Sequence, residues 1–244
     1  MHTYKKAPVV QAVLQLQFQK PISAKHVEKI TKKASTFYPS VEPLMDYEIS
    51  VDPAINGGSP KMTATRASSR MQAADPSQMF TVGPGQFTTS QLAPYLGWQE
   101  FFQRFIRDFN MITKITGHPL FNRIGLRYIN RLDVPENIAT FDIQKEYLNI
   151  YPSVSGKLGQ YAGNMVHVEF QNAECDSVVL VNSGLNAPVL INHVSYILDI
   201  DIVRTNNIPM KFDDLFNCIE KMRKAKNEIF EELVTDKARK LFDA

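Results

Sequence analysis

Cysteine is almost missing from this chain of 244 residues: Cys175 and Cys218 are the whole supply, and no CxxC spacing joins them. A disulfide framework is excluded on that count, and the usage fits a reducing cytosol, so a cytoplasmic location is expected. Long apolar runs are missing too. No stretch of about 18 apolar residues exists, so no membrane span is expected. The opening Met1-His-Thr-Tyr-Lys-Lys-Ala-Pro8 is basic, but Gln11, Gln15 and Gln17 interrupt the apolar residues that follow. It does not read as a signal peptide. Charge of one sign is also scarce, with 27 basic and 25 acidic residues giving a net +2. That excludes a surface wholly devoted to nucleic acid and leaves room for a local basic patch.

The motifs of common chemistries are absent as well. The histidines His2, His26, His118, His167 and His193 never pair at HxH or HxxxH spacing, and neither cysteine stands beside one. His167-Val-Glu169 sets two polar side chains on one strand face, which reads as solvated surface, since a metal needs more partners. There is no GxSxG elbow, and Asn182-Ser-Gly184 reads as a turn. Glu174 and Asp176 flank Cys175 and raise its thiol pKa, so no activated thiolate is expected. Gly83-Pro-Gly85 lacks the lysine and spacing of a phosphate-binding loop. The expectation is no catalytic residue set, no cofactor and no metal.

What is present is a regular alternation of elements. Val9–Gln19 alternates Leu14, Leu16 and Phe18 with Gln15 and Gln17, the period of a strand. Ser23 is placed to cap a helix running to about Phe37, with Val27, Ile30, Ala34 and Phe37 on one stripe. Strands are predicted at Met45–Val51 and Lys61–Ala73, divided by a loop over Pro53–Pro60. Further strands at Met79–Val82 and Gln86–Leu92 flank Gly83-Pro-Gly85. From Trp98, the residues Phe101, Phe102, Phe105, Ile106, Phe109, Ile112 and Ile115 form a helical apolar stripe that Gly117-His-Pro119 ends. At mid-chain, Asn122–Asp133 reads as a strand with Ile124, Leu126, Tyr128 and Leu132 on one face and Arg123, Arg127 and Arg131 on the other. A helix at Phe141–Ile150, strands at Gly159–Phe170, Ser177–Asn182 and Val189–Val203, and a helix from about Phe212 complete the pattern. Lys221, Arg223, Lys224, Lys226 and Glu228 read as the wet side of that last long helix. Thr235 is placed to cap a final short one.

Two stretches repeat at an offset of 113: Phe37-Tyr-Pro-Ser-Val41 reappears as Ile150-Tyr-Pro-Ser-Val154. At the same offset the stripe of Phe102, Phe105, Ile106 and Phe109 falls on Leu215, Cys218, Ile219 and Met222, and the first strand falls on the central one. The expected fold is therefore α+β, with two pseudo-repeated βαβ(β)βα halves, 1–120 and 121–244, in one compact unit. An antiparallel sheet buried on one side by long helices and free on the other is the physical solution to such a pattern. It is the layout of TATA-box-binding proteins and, more loosely, of helix-grip folds.

The free face supplies the candidate surface. Arg123, Arg127 and Arg131 are spaced about 13 Å apart end to end at each step of four residues. Arg66 and Arg70 are in phase on a second strand. Together they suit phosphates or an acidic partner, although no base-stacking aromatic set accompanies them. Asp199 and Asp201, in phase with His193, have two readings: a divalent-cation or acid–base pair, or cross-strand partners for the arginines.

Gly125-Leu-Arg-Tyr-Ile-Asn-Arg-Leu132 with Pro135 resembles the central signature of a sporadically distributed bacterial family of uncharacterised proteins of about this length. Tyr4–Pro8, Gly97-Trp98 and Leu198-Asp-Ile-Asp201 agree with it, so the resemblance spans nearly the whole chain. It implies one compact unit with a patchy occurrence, as for genes on mobile or defence islands. It implies no established activity, and no catalytic residue is carried over. The expected function is a non-enzymatic interaction or sensing module, with another protein as partner and a homodimer as one form. The alternatives are a nucleic-acid binder on the arginine face and a metal-dependent hydrolase or nuclease at Asp199 and Asp201.

Overall fold

The structure is a computed structural model, and it describes residues 4–50, 61–136, 141–154 and 163–243, with the side chains of 46–50, 61–67 and 141 set aside. The loop expected over Pro53–Pro60 lies outside the described residues.

Strands β1 (Val9–Phe18), β2 (Ser40–Ser50), β3 (Lys61–Gln72), β4 (Gln78–Val82), β5 (Gln86–Leu92), β6 (Phe121–Val134), β7 (Met165–Asn172), β8 (Ser177–Asn186) and β9 (Val194–Arg204) form a single sheet. Its order is β2-β3-β4-β5-β1-β6-β9-β8-β7. Every pairing is antiparallel. The fold is thus α+β. The helices are α1 (Ala24–Ala34), α2 (Trp98–Thr116), α3 (Phe141–Tyr147), α4 (Phe212–Leu233) and α5 (Asp236–Asp243).

Period-two alternation decides which side of the sheet is dry. Leu14 stands opposite both Thr89 of β5 and Leu126 of β6, and Leu126 stands opposite Ile202 of β9. These four positions are buried on one face, with Phe80, Phe87, Tyr128, Val179, Val181 and Ile200. The helices cover that same face. Thr31 of α1 hydrogen-bonds Ser69, Asp108 of α2 accepts from Thr89, Gln144 of α3 reaches Ser183, and α4 lies along β6 and β9. All the buried apolar side chains belong to one cluster.

Each helix starts and stops for a local reason. The Ser23 hydroxyl accepts from the His26 N–H at the start of α1 (3.3 Å). Gly117, at φ +76°, takes the left-handed turn that ends α2, a conformation glycine adopts without strain. Aromatic rings then lock α2 to α4: Phe109 lies 4.7 Å from Phe212 and 5.2 Å from Phe216, centroid to centroid.

Some boundaries differ from the sequence pattern. α3 stops at Tyr147 because Leu148 and Asn149 turn to pair with the end of α4, Asn149 donating to the Leu233 carbonyl (2.9 Å). β9 starts at Val194, since the turn before it takes Asn192 to φ +58°. β7 starts at Met165, and the earlier part of the expected strand falls partly on residues outside those described. Asn182-Ser183-Gly184 is not a turn but the middle of β8. Gly184 belongs there because a Cβ on it would meet the Asn164 carbonyl oxygen at 2.4 Å.

Candidate functional site

The open face of the sheet carries the arginines, and β9 brings carboxylates to them. Arg127 holds Asp199 with two parallel hydrogen bonds, both 2.8 Å. Arg123 lies 4.0 Å from Asp201, and Arg131 lies 3.1 Å from Asp133. Asp199 is buried beneath its guanidinium partner, and burial pushes the Asp201 carboxyl above its ordinary range while Arg123 and Arg127 oppose that. Asp199 and Asp201 thus meet Arg127 and Arg123 across strands, as one of the two readings expected, while Arg131 pairs within its own strand. His193 stands apart, its Nδ1 against the Ile191 carbonyl (2.9 Å). Among the described residues no group of three histidine, cysteine or acidic side chains is disposed to hold a metal ion.

The pairing extends into a polar belt. Asn182 donates to Asp199 (3.1 Å) and faces His167 (2.6 Å), which meets Glu169 (2.9 Å). In the other direction Arg123 donates to Gln15, and Gln15 donates to Gln86 (3.0 Å). Gly125 makes space for this: a Cβ there would meet the Arg123 guanidinium at 2.9 Å. Arg70 is separated from the central arginines by β4, β5 and β1, and it pairs with Glu42 at 3.5 Å. The side chain of Arg66 lies outside those described. The belt therefore joins Arg123, Arg127 and Arg131 with their own counter-charges and leaves Arg70 remote from them.

A second site lies on the helix side, under α4. Tyr4, Pro8, Tyr95, Trp98, Tyr128, Asn130, Arg223, Lys226, Phe230 and Glu231 line a half-open cavity of about 380 Å³. Five aromatic rings stand in its walls: Tyr4, Tyr95, Trp98, Tyr128 and Phe230. The Tyr95 and Tyr128 hydroxyls are 2.9 Å apart, and Trp98 stacks on Phe102 at 4.8 Å. Glu220 receives Trp98 Nε1 and Arg223 Nε, and the Arg223 guanidinium lies 5.4 Å from the Trp98 ring. At the other rim, Glu231 receives Tyr4 (2.9 Å) and Arg239 (3.0 Å).

Lys226 sits at the floor. The sequence pattern put it on the wet side of α4, but it is only 9% exposed. The reason is helical spacing. Lys226 is four residues from both Met222 and Phe230, so it shares their inward stripe. Its ammonium lies 4.1 Å from the centre of the Tyr128 ring and has no hydrogen-bonding partner among the described residues. Burial holds its pKa down at about 7, with Arg223 adding to the shift and Glu231 opposing it. Burial also pushes Tyr95 up to about 12 and Tyr128 further still. An apolar-walled cavity with one poised amine binds a small molecule well.

A third polar group, Asp108, is fully buried. It receives Tyr38 (2.7 Å), Thr89 (3.0 Å) and Arg107 (2.9 Å). These donors tie the segment after α1 to α2 and β5.

No family model matches the chain, and no curated protein matches it. Among the described residues no helix is long and apolar enough to cross a membrane.

Proposed function

We propose that the chain is a non-enzymatic sensing module of a bacterial, defence-associated or toxin–antitoxin-like system. A small molecule occupies the cavity under α4, and another protein reads the open sheet face. The single observation carrying this is the cavity itself, lined by aromatic rings and by a lysine that is 9% exposed and has no hydrogen-bonding partner among the described residues.

The same reading takes the fold as a doubled βαβ(β)βα unit in the manner of TATA-box-binding proteins. What supports it is the strand order. Residues before α2 contribute β2-β3-β4-β5-β1, residues after it contribute β6-β9-β8-β7, and the first strand of each set meets the other at the centre.

The neutral fluorescent probe N-phenyl-1-naphthylamine tests the cavity. It is expected to bind wild type one to one and to lose binding in Ala7→Trp, a substitution of an exposed residue lining the cavity that fills its mouth, at an unchanged melting temperature. Absence of binding to wild type, or equal binding to both, removes the proposal. Titration of labelled DNA and RNA across salt tests the nucleic-acid alternative. Free arginines would give a log K that falls steeply with log salt. Arginines already neutralised by Asp199, Asp201 and Asp133 are expected to give no such binding.

A further inference from the structure

Resting on the reading of the cavity as a ligand site, we infer that its ligand is a small carboxylic acid with a flat apolar body, bound by its carboxylate to Lys226 and by its body between Tyr95, Trp98 and Phe230. Burial of most of the Lys226 side chain is costly to its charge, and the face of one tyrosine ring, 4.1 Å from the ammonium, returns only part of the lost hydration. Among the described residues no carboxylate forms an ion pair with Lys226, although Glu231 favours its charge. The Glu231 carboxylate, on the same helix, is taken by Tyr4 and Arg239. Glu220 is taken by Trp98 and Arg223. The floor therefore presents donors, the Lys226 ammonium and the Tyr95–Tyr128 hydroxyl pair, beside the second cation, Arg223. A carboxylate is the group that suits the ammonium and the hydroxyl pair, through charge-assisted hydrogen bonds. The walls fix the rest of the ligand: the faces and edges of Tyr4, Tyr95, Trp98, Tyr128 and Phe230 favour a planar apolar partner.

Binding is coupled to a proton. The charged or titratable groups facing Lys226 are Arg223 and Glu231 from α4, Tyr128 from β6, Tyr95 from the segment before α2, and Tyr4 from the first segment. Burial keeps Tyr4 and Tyr95 at about 12 and Tyr128 higher, so none of the three tyrosines ionises near neutrality. Lys226, near 7 in the free protein, changes charge in that range. A bound carboxylate favours the ammonium and raises its pKa. The complex therefore takes up about one proton at pH 8, and affinity weakens roughly tenfold from pH 6 to pH 8 as the charged form becomes scarce.

The probes are 2-naphthoate and its neutral counterpart 2-naphthamide, titrated calorimetrically in two buffers of different ionisation enthalpy. Naphthoate is expected to bind wild type about tenfold tighter than naphthamide, with proton uptake. Lys226→Met is expected to lose both the preference and the uptake while keeping naphthamide binding, which shows that the cavity survives. Naphthamide binding as tightly as naphthoate, or naphthoate binding without proton uptake, overturns the acid while the cavity stands. If neither naphthalene binds and N-phenyl-1-naphthylamine also fails, the cavity reading falls with it.

Discussion

At the scale of single residues, the molecule places charge where water is scarce and answers it unequally. Asp199 and Asp108 are buried with full sets of donors, whereas Lys226 is buried against a ring. The inequality has a consequence for stability against pH. The Lys226 pKa is near 7 in the folded chain and near its ordinary value when unfolded, so from about pH 7 to pH 10 the unfolded state binds the extra proton. The penalty of the buried charge is fully present below pH 7 and fades as pH rises, at about 1.4 kcal/mol per unit of displacement. Lys226→Met is therefore expected to raise the melting temperature clearly at pH 6 and much less at pH 9, read by calorimetry. An equal gain at both values removes the buried charge as its cause. Arg127→Ala acts in the opposite sense. It leaves the Asp199 carboxylate buried with Asn182 as its remaining side-chain donor, and a loss of about 1–3 kcal/mol in urea melts is expected.

Among the elements, the strands were legible because alternation survives whenever one face is dry. Leu14, Leu16 and Phe18 against Gln15 and Gln17 gave β1, and the arginine–apolar alternation gave β6. The long helices were legible through their phenylalanines and leucines. What escaped were the polar members of those same stripes. Asp108 stands three residues after Phe105 and Lys226 four before Phe230, so spacing alone sets both inward. A reading that gathers only apolar residues passes over them, and the ligand cavity is passed over with Lys226. Its walls also come from segments far apart in the chain, Tyr4, Tyr95, Tyr128 and Phe230, which no local pattern connects. Asn182-Ser-Gly184 failed as a turn for a similar reason, since the approach of Asn164 that requires Gly184 is a tertiary contact. The α2–α4 seam provides the test at this scale. Phe109 is fully buried among Phe87, Phe105, Phe121, Phe212 and Phe216. Phe109→Ala is expected to cost about 3–5 kcal/mol by denaturant unfolding, and a loss under 1 kcal/mol is incompatible with the seam described.

For the molecule as a whole, the junction of β1 with β6 matters most. It lies at the centre of the sheet, and the α2–α4 rings cross the same junction on the dry side. Residues 1–120 alone would expose an unpaired β1 edge and half of that aromatic seam, and 121–244 alone the matching halves. Neither fragment is expected to melt cooperatively by itself, while mixing the two is expected to restore the far-ultraviolet spectrum of the intact chain. A cooperative transition in either fragment alone would mean that the junction is not what holds the unit together.

The segment from Tyr4 to Lys6 reaches the far end of the chain, where the Lys6 N–H meets the Phe242 carbonyl and the Tyr4 ring packs on Phe230 and Phe242. Tension applied through residues 4 and 243 would therefore load this clasp before any ladder of the sheet. The first piece to let go would be α5 with the rim of the ligand cavity, so that stretching the molecule would empty it long before unravelling it.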